Sequence, residues 1–371
     1  MMKAQEIVHK VEDIYPLSLA QDWDNVGLLI GDPQKNVENV LLTIDTTEAV
    51  VAEAKRLNID LILSYHPVIW DGLKKIVAEG PTRVVHELLR SGVAVLSVHT
   101  ALDVAIGGVN DGLAEMLGIV DGKPIGDFVG HPEGDRYKLI VFVPVDSVAR
   151  VSNAMFAAGA GAIGNYSHCS FNVEGTGTFL PRKGAKPAIG QKGTLEKVAE
   201  TRFETVVPAD KLDAVINAMR HAHPYETPAF DVFKIVSTEA PFGLGRIGNL
   251  ARPSRIPQII KNIKDITGAK AVGLVGDQKR LVKRAAVCAG TCGEIINLVI
   301  ADKADLYLTG ELKHHQALAA QEAGLTCMCL SHTVSERFIL KKIAKQLQKH
   351  LKGVKIRISK KDADPFTWKN I

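Results

Sequence analysis

The sequence predicts an α/β protein built as one split α/β domain with a mainly parallel sheet, interrupted by an inserted ferredoxin-like α+β domain. Three observations carry this. Over about the first 120 residues, short apolar strand-like runs alternate with amphipathic helical stretches, the βαβ rhythm of a parallel sheet. From about residue 240 the same rhythm resumes. Between them lies an internal repeat. Val143-Pro144, Asp146, Val151, Asn153-Ala154-Met155 and Ala158 return 64 residues later as Val207-Pro208, Asp210, Val215, Asn217-Ala218-Met219 and Ala222, with eight of sixteen aligned positions identical. Two tandem β-α-β units of this kind read as a ferredoxin-like module. The expected division is residues 1–125 and 237–371 as the halves of the α/β domain and 126–236 as the insertion; three independent domains in a row are the alternative.

The elements follow in order. Residues 1–15 interleave Lys3, Glu6, Lys10, Glu12 and Asp13 with apolar residues, which suits an amphipathic helix and lacks the apolar stretch of a secretory signal. A strand over 40–44 ends at Asp45-Thr46-Thr47, a helix start, and a helix runs to Leu57. A strand over 61–64 ends in Tyr65-His66-Pro67; a helix covers 83–90; a third strand over 93–98 ends in His99-Thr100-Ala101-Leu102-Asp103. In the repeat, each copy has a strand ending at proline, an aspartate able to cap, and a helix of about a dozen residues. Residues 175–197, rich in Gly, Pro and Lys, read as an exposed loop or hairpin. Beyond 240, strands are expected over 271–275, 285–288, 304–308, 325–330 and 354–358, with helices between them, one carrying His314 and His315.

With 371 residues the chain exceeds one average core, and 46% hydrophobic residues suffice to fill more than one. Its 45 basic and 41 acidic residues leave a net charge of +4, no electrostatic footprint for nucleic acid, so no nucleic-acid partner is expected. No apolar run reaches the length of about 18 residues that a membrane span needs, and no membrane partner is expected. The five cysteines are odd in number and lie mostly in strand-like runs, which fits a reducing cytoplasm better than a disulfide framework. Cys288 with Cys292, and Cys327 with Cys329, are read as core residues rather than soft-metal ligands.

Candidate chemistry concentrates where apolar strands break. Residues 325–336 read as a strand running into a helix, with His332 at the break and Glu336 four residues on. Positions four apart share a helix face, so an imidazole and a carboxylate aim at one point. Alone, such a pair equally serves as a strand-end cap beside a solvated glutamate; it needs partners. His66 and Asp103, each just past an expected strand, are the candidates, and Pro67 stiffens the chain after His66. Imidazole nitrogen and carboxylate oxygen suit first-row divalent ions at about 2.0–2.2 Å. A carboxylate such as Asp103 or Glu336 can bridge two ions about 3.5–4 Å apart, with a shared water acidified into a nucleophile. His221, His223 and Glu226 either form a further ligand site or give a loop its polarity.

These stretches join others that span nearly the whole chain: Trp23-Asp24-Asn25-Val26-Gly27-Leu28 with Gly31, Ser64-Tyr65-His66-Pro67, His99-Thr100 and Asp103 with Asn110, Thr309-Gly310-Glu311 with His315, Ser331-His332 and Glu336, and Asp364-Pro365-Phe366. In these the chain resembles the Nif-three-like dinuclear-metal proteins, often labelled GTP cyclohydrolase 1 type 2 homologues. The resemblance implies one or two divalent metal ions per subunit (Zn, Fe, Mn or Mg), held by His66, Asp103, His332 and Glu336. Asp103 and Glu336 would bridge, while His99, Thr309, Glu311 and His315 would orient ligands or substrate. Many members carry two adjacent histidines before the proline; here the first is Tyr65, and a phenol with an unperturbed pKa of about 10 is a poor ligand near neutrality. Also implied are a homohexamer whose metal sites face an interior cavity, and a PII-like or CutA-like fold for the insertion that ends in His223-Pro224-Tyr225-Glu226-Thr227-Pro228. The expected function is a cytoplasmic metal-dependent hydrolase of cyclohydrolase type, in which a metal-bound hydroxide attacks a nucleotide-like small molecule and Glu336 or His315 assists proton transfer. The alternative is a non-catalytic metal-binding regulator or metal-delivery protein whose insertion senses a small molecule. A DNA or transcription-factor partner ranks last.

Overall fold

Val40-Leu41-Leu42, Leu61-Ile62-Leu63 and Ala94-Val95-Leu96 are all buried, the continuous apolar character of strands covered on both faces. They form the centre of a five-stranded sheet in the order Lys355–Ile358, Asn39–Thr43, Leu61–Ser64, Ala94–Ser97, Gly27–Ile30. Successive side chains point to opposite faces. Leu41, Ile62 and Val95 therefore pack on the helices Glu48–Arg56 and Arg83–Ser91, while Val40, Leu42, Leu61, Leu63 and Leu96 enter a second, larger core. The Thr47 hydroxyl caps the first of these helices by accepting the Val50 N–H at 3.4 Å. Gly92 closes the second in the left-handed conformation, φ +67°.

This computed structural model describes residues 1–126, 135–164, 166–236 and 242–367. It divides into two compact units, Met1–Val129 with Ala240–Ile371, and Gly130–Glu239. The joins expected at 125/126 and 236/237 lie beside residues 127–134 and 237–241, outside the described residues.

The first unit holds a second sheet of six strands, ordered Gly273–Val275, Thr326–Cys329, Leu306–Thr309, Leu281–Cys288, Gly245–Arg255, Lys123–Ile125. The expectation of a mainly parallel sheet is corrected here: both sheets are mixed. In the five-stranded sheet, Gly27–Ile30 runs antiparallel to its neighbour. In the six-stranded sheet only the two pairs among Leu281–Cys288, Leu306–Thr309 and Thr326–Cys329 are parallel; the other three pairs are antiparallel. Parallel pairing needs a crossover such as a helix. The antiparallel strands Gly27–Ile30, Lys123–Ile125 and Gly245–Arg255 lie outside the strand–helix–strand repeats that suggested it.

The two halves of this unit exchange strands. Lys123–Ile125 from the first half adds to the six-stranded sheet, and Lys355–Ile358 from the second adds to the five-stranded one. Buried polar side chains tie the same halves together. Asn110 donates to the Leu244 carbonyl at 2.5 Å and the Asp103 carbonyl at 3.2 Å, and accepts the Ala289 N–H at 2.8 Å. The buried Arg246 donates to the Val104 carbonyl at 2.9 Å and pairs with Asp111 at 2.5 Å. Among the described residues no helix is long and apolar enough to cross a membrane.

In the second unit the repeat becomes two strand–helix copies: Arg136–Pro144 with Val148–Ala157, and Glu196–Pro208 with Leu212–Ala222. Ser170–Phe179 and Phe230–Ile235 complete a four-stranded antiparallel sheet ordered Phe230–Ile235, Arg136–Pro144, Glu196–Pro208, Ser170–Phe179. The aspartates of the repeat do not cap. Each helix enters through a short 3-10 turn with no side-chain cap bond. The glycine-rich stretch is a hairpin whose arms are strands, with only 180–195 as the connection. Leu139, Val141, Val143, Phe203 and Val207 face Val151, Met155, Val215 and Met219 in this unit's own core.

Asn110→Leu leaves three buried backbone groups without partners, and each unmet group costs about 1–3 kcal/mol. The expected outcome is a loss of about 3 kcal/mol in urea unfolding; a loss below about 1 kcal/mol would contradict this reading of Asn110 as the tie between the halves.

Candidate metal centre

Strand ends from both sheets of the first unit meet at one place. In the five-stranded sheet, Asn39–Thr43, Leu61–Ser64 and Ala94–Ser97 are followed by Asp45, His66 and His99. In the six-stranded sheet, Leu281–Cys288, Leu306–Thr309 and Thr326–Cys329 are followed by Thr291, Glu311 and His332. Polar side chains leave the core at the carboxyl ends of parallel strands without being buried unpaired. Glu336 stands one turn beyond His332 on the helix His332–Arg337 and is 2% exposed.

Local backbone constraints aim these groups. Ser331, just before the helix, adopts φ +74°, ψ 153°, costly for a residue with a side chain, and its N–H is held by the Gly310 carbonyl at 3.0 Å. Gly290 has φ +65°, and a Cβ there would stand 2.9 Å from Glu336 Oε1. A Cβ on Gly310 would lie 2.5 Å from the Gly290 carbonyl oxygen. Only glycine lets these two loops approach each other beside the glutamate.

One donor atom each from His66, His332 and Glu336 lie within 4.8 Å of one another. His332 Nε2 is 3.1 Å from Glu336 Oε1, and His66 Nε2 is 3.6 Å from Glu336 Oε2. The far nitrogens have carboxylate partners: His66 Nδ1 meets Asp45 at 2.9 Å, and His332 Nδ1 meets Glu311 at 2.9 Å and the Thr291 hydroxyl at 3.2 Å. Against the upward push of burial, the bond from His66 holds Asp45 below the usual carboxylate range. The Thr291 hydroxyl and His332 hold Glu311 low as well. Each imidazole thus directs Nδ1 at a carboxylate and turns Nε2 inward, the arrangement that carboxylates impose on metal-binding histidines.

With both rings neutral, two inward lone pairs would face the carboxylate with no hydrogen for the contact. Glu336 Oε2 is buried with no hydrogen-bond partner among the described residues. A cation satisfies all three acceptors at once; without one, a second proton on His332 serves in part. The Glu336 bond, against burial, pushes the His332 imidazole up to about 9. The donor set of two imidazoles and a carboxylate suits a divalent first-row ion.

Asp103 lies in the helix His99–Val104, buried, and accepts the Tyr65 hydroxyl at 2.5 Å. Burial pushes its carboxyl well above the usual range, outweighing the Tyr65 bond, and the charge of the nearby Glu336 adds to the rise. Burial and then the Asp103 charge push the Tyr65 phenol up, keeping it protonated as the donor. Asp103 is thus beside the cluster electrostatically but outside the group of three. His315 is exposed on the helix His314–Glu322, its ring against His314, and is likewise outside that group. No cysteine belongs to the group among the described residues; Cys288 and Cys327 are buried in strands. Sequence reasoning did not assign roles to Asp24 and Thr291. Asp24 accepts His99 Nδ1 at 2.8 Å and the Thr100 N–H at 3.0 Å. The exposed indoles of Trp23 and Trp70 stand edge-on to His99, at 5.9 and 5.2 Å between ring centres. The Trp23-Asp24-Asn25 motif was the available signal.

Residues 2–365 match the model of the family described as Duf34/NIF3 (NGG1p interacting factor 3). The chain belongs to the Duf34/NIF3 family. Among relatives of this family, it is 38% identical over 371 residues to a GTP cyclohydrolase 1 type 2 homolog of Bacillus subtilis, covering 99% of each chain. It is 36% identical to the protein of the same name in Mycobacterium leprae, over 97% of this chain and 94% of that one. Its structure is similar to that of a Bacillus cereus protein related to NIF3, with TM-score 0.77, 36% identity and 99% of each chain covered. It is similar too to a Staphylococcus aureus protein, with TM-score 0.85, 26% identity and 99% of each chain covered.

At this site, metal binding at neutral pH would displace a proton from His332, whose raised pKa of about 9 keeps the ring charged below that pH. Calorimetry of zinc binding at pH 7 in buffers of differing ionisation enthalpy is expected to show about one proton released per ion. Affinity should rise about tenfold per pH unit toward pH 9 and then level. A buffer-independent heat would contradict the assignment.

Proposed function

We propose that the protein is a divalent-metal-dependent hydrolase acting on a nucleotide-like small molecule in the cytoplasm. The observation that carries this reading is the buried Glu336 carboxylate, faced by two imidazole nitrogens and left with an unpaired oxygen. His66, His332 and Glu336 would hold the ion, with Asp103 as a fourth ligand once its Tyr65 bond yields. When bound, a divalent ion supplies Lewis acidity, which acidifies water and polarises an electrophilic centre. The chain's own residues do the rest. Asp45 and Glu311 fix the imidazole tautomers, and Tyr65 holds a proton on its phenol beside Asp103. Glu336 is assigned to accept a proton, in a site whose burial strengthens every charge interaction. His315 is assigned as a second proton carrier, reached through the substrate from its exposed helix. The indoles of Trp23 and Trp70 offer faces for a planar base to stack on.

Residues 126–236 are assigned as a ferredoxin-like, PII-like insertion between the halves 1–125 and 237–371; the β-α-β-β-α-β element order of that unit supports this. A homohexamer is proposed on the family resemblance. The second reading, a metal-binding regulator without turnover, is favoured by one observation: the Tyr65 hydroxyl engages the carboxylate that a second ion would need.

The test is protein reloaded with zinc, manganese or iron and screened on GTP and other phosphate esters. Turnover is expected, reduced at least about a hundredfold in Asp103→Ala and Glu336→Ala, the scale on which removing a metal-site group acts. Metal binding without turnover would select the regulator, and turnover unchanged in both variants would remove the proposed site.

A further inference from the structure

The Gly130–Glu239 unit contains a cavity of about 780 Å³ that the metal chemistry does not use. Phe142, Glu200 and Arg202 line it, and they alternate along their strands with Val141, Val143 and Phe203, which pack against the helices. The cavity therefore lies on the sheet face turned away from those helices.

Its charges differ in exposure. Glu174, Arg182, Lys186 and Glu226 are exposed, and Arg202 is occupied by Glu204 at 2.7 Å. Glu200 is 9% exposed and has no salt bridge among the described residues. A buried carboxylate without a cation is costly, so the space beside it favours positive charge. Gly177 on the neighbouring strand makes room for the carboxylate itself, since a Cβ there would lie 2.1 Å from Glu200 Oε2.

The wall beside it is rigid. His223 is buried, and burial pushes its pKa down, so the ring is neutral and its two nitrogens take different roles. Nε2 donates to the Phe142 carbonyl at 3.0 Å, and Nδ1 accepts the Tyr225 N–H at 3.0 Å. The His-Pro-Tyr-Glu motif is thus a clasp that fixes Tyr225, not a metal site. Burial and the adjoining Glu200 carboxylate push the Tyr225 phenol up, and its buried hydroxyl has no other partner among the described residues. Its ring meets Phe179 edge-on at 5.7 Å.

We propose that this cavity is a binding site for a small organic cation: an ammonium or amidinium group placed against the Glu200 carboxylate and the Tyr225 hydroxyl, carried on an aromatic or apolar body that packs on Phe142 and Phe179. The nitrogen donates to Glu200 and to the Tyr225 oxygen beside it, and the Phe179 ring adds cation–π attraction. An anion is excluded from the floor by Glu200, and a bare metal ion would find one carboxylate there, too few ligands.

The test is calorimetric titration of the full chain with 2-phenylethylammonium, phenylacetate and ammonium chloride. The aromatic cation is expected to bind, with phenylacetate and ammonium each at least about tenfold weaker. Glu200→Gln, which keeps the shape and removes the charge, is expected to weaken it about tenfold or more, and Tyr225→Phe, which keeps the ring, by a smaller factor. Circular dichroism checks that each variant folds; should Glu200→Gln not fold, Tyr225→Phe alone decides. No binding of the cation at millimolar concentration, equal binding of phenylacetate, or binding unchanged in the folded variants would overturn the proposal.

Discussion

Glu336 sets the terms for the rest of the first unit. A carboxylate at 2% exposure, with one oxygen unpaired and two imidazole nitrogens facing it, is a site that the interior tolerates best with a positive charge in it. The cluster is held together from outside. Asp45 and Glu311 hold the far nitrogens of His66 and His332, which fixes the orientation of both rings. The arrangement suits a positive charge at its centre, and a proton on His332 supplies part of it.

The architecture delivers that cluster through backbone placement. His66 and Asp45 come from one sheet, His332 and Glu311 from the other, and the halves that carry them are interlocked by exchanged strands and by Asn110 and Arg246. Glycines at 290 and 310 allow the loops of the six-stranded sheet to touch, and the strained Ser331 turns the chain so that His332 opens its helix facing Glu336. Backbone strain at such a point is consistent with a site in which geometry has been favoured over local stability.

Much of this was legible before folding. The four-residue spacing of His332 and Glu336 implied a shared helix face, and the break of an apolar run at His66 implied a strand end, because both follow from periodicity. What was not legible depends on partners far away in sequence. Asp24 with His99, Asp45 with His66 and Thr291 with His332 are contacts across 75, 21 and 41 residues, and no local pattern announces them. Gly27–Ile30 and Gly245–Arg255 join sheets in the antiparallel sense without a helix-flanked signature, and the second carries Pro253 and a register shift between Asn249 and Ser254. Asp103 was read as a ligand from its place after a strand; its bond with Tyr65 depends on packing that only the fold supplies.

His66, His332 and Glu336 together form a place for a divalent cation. Anomalous diffraction from crystals grown with zinc, scanned across the zinc edge, tests it most directly. The expected result is a peak about 2.0–2.2 Å from the Nε2 atoms of both histidines and from a Glu336 oxygen. A crystal with its anomalous signal elsewhere, or with no signal at these three residues under saturating zinc, would contradict it.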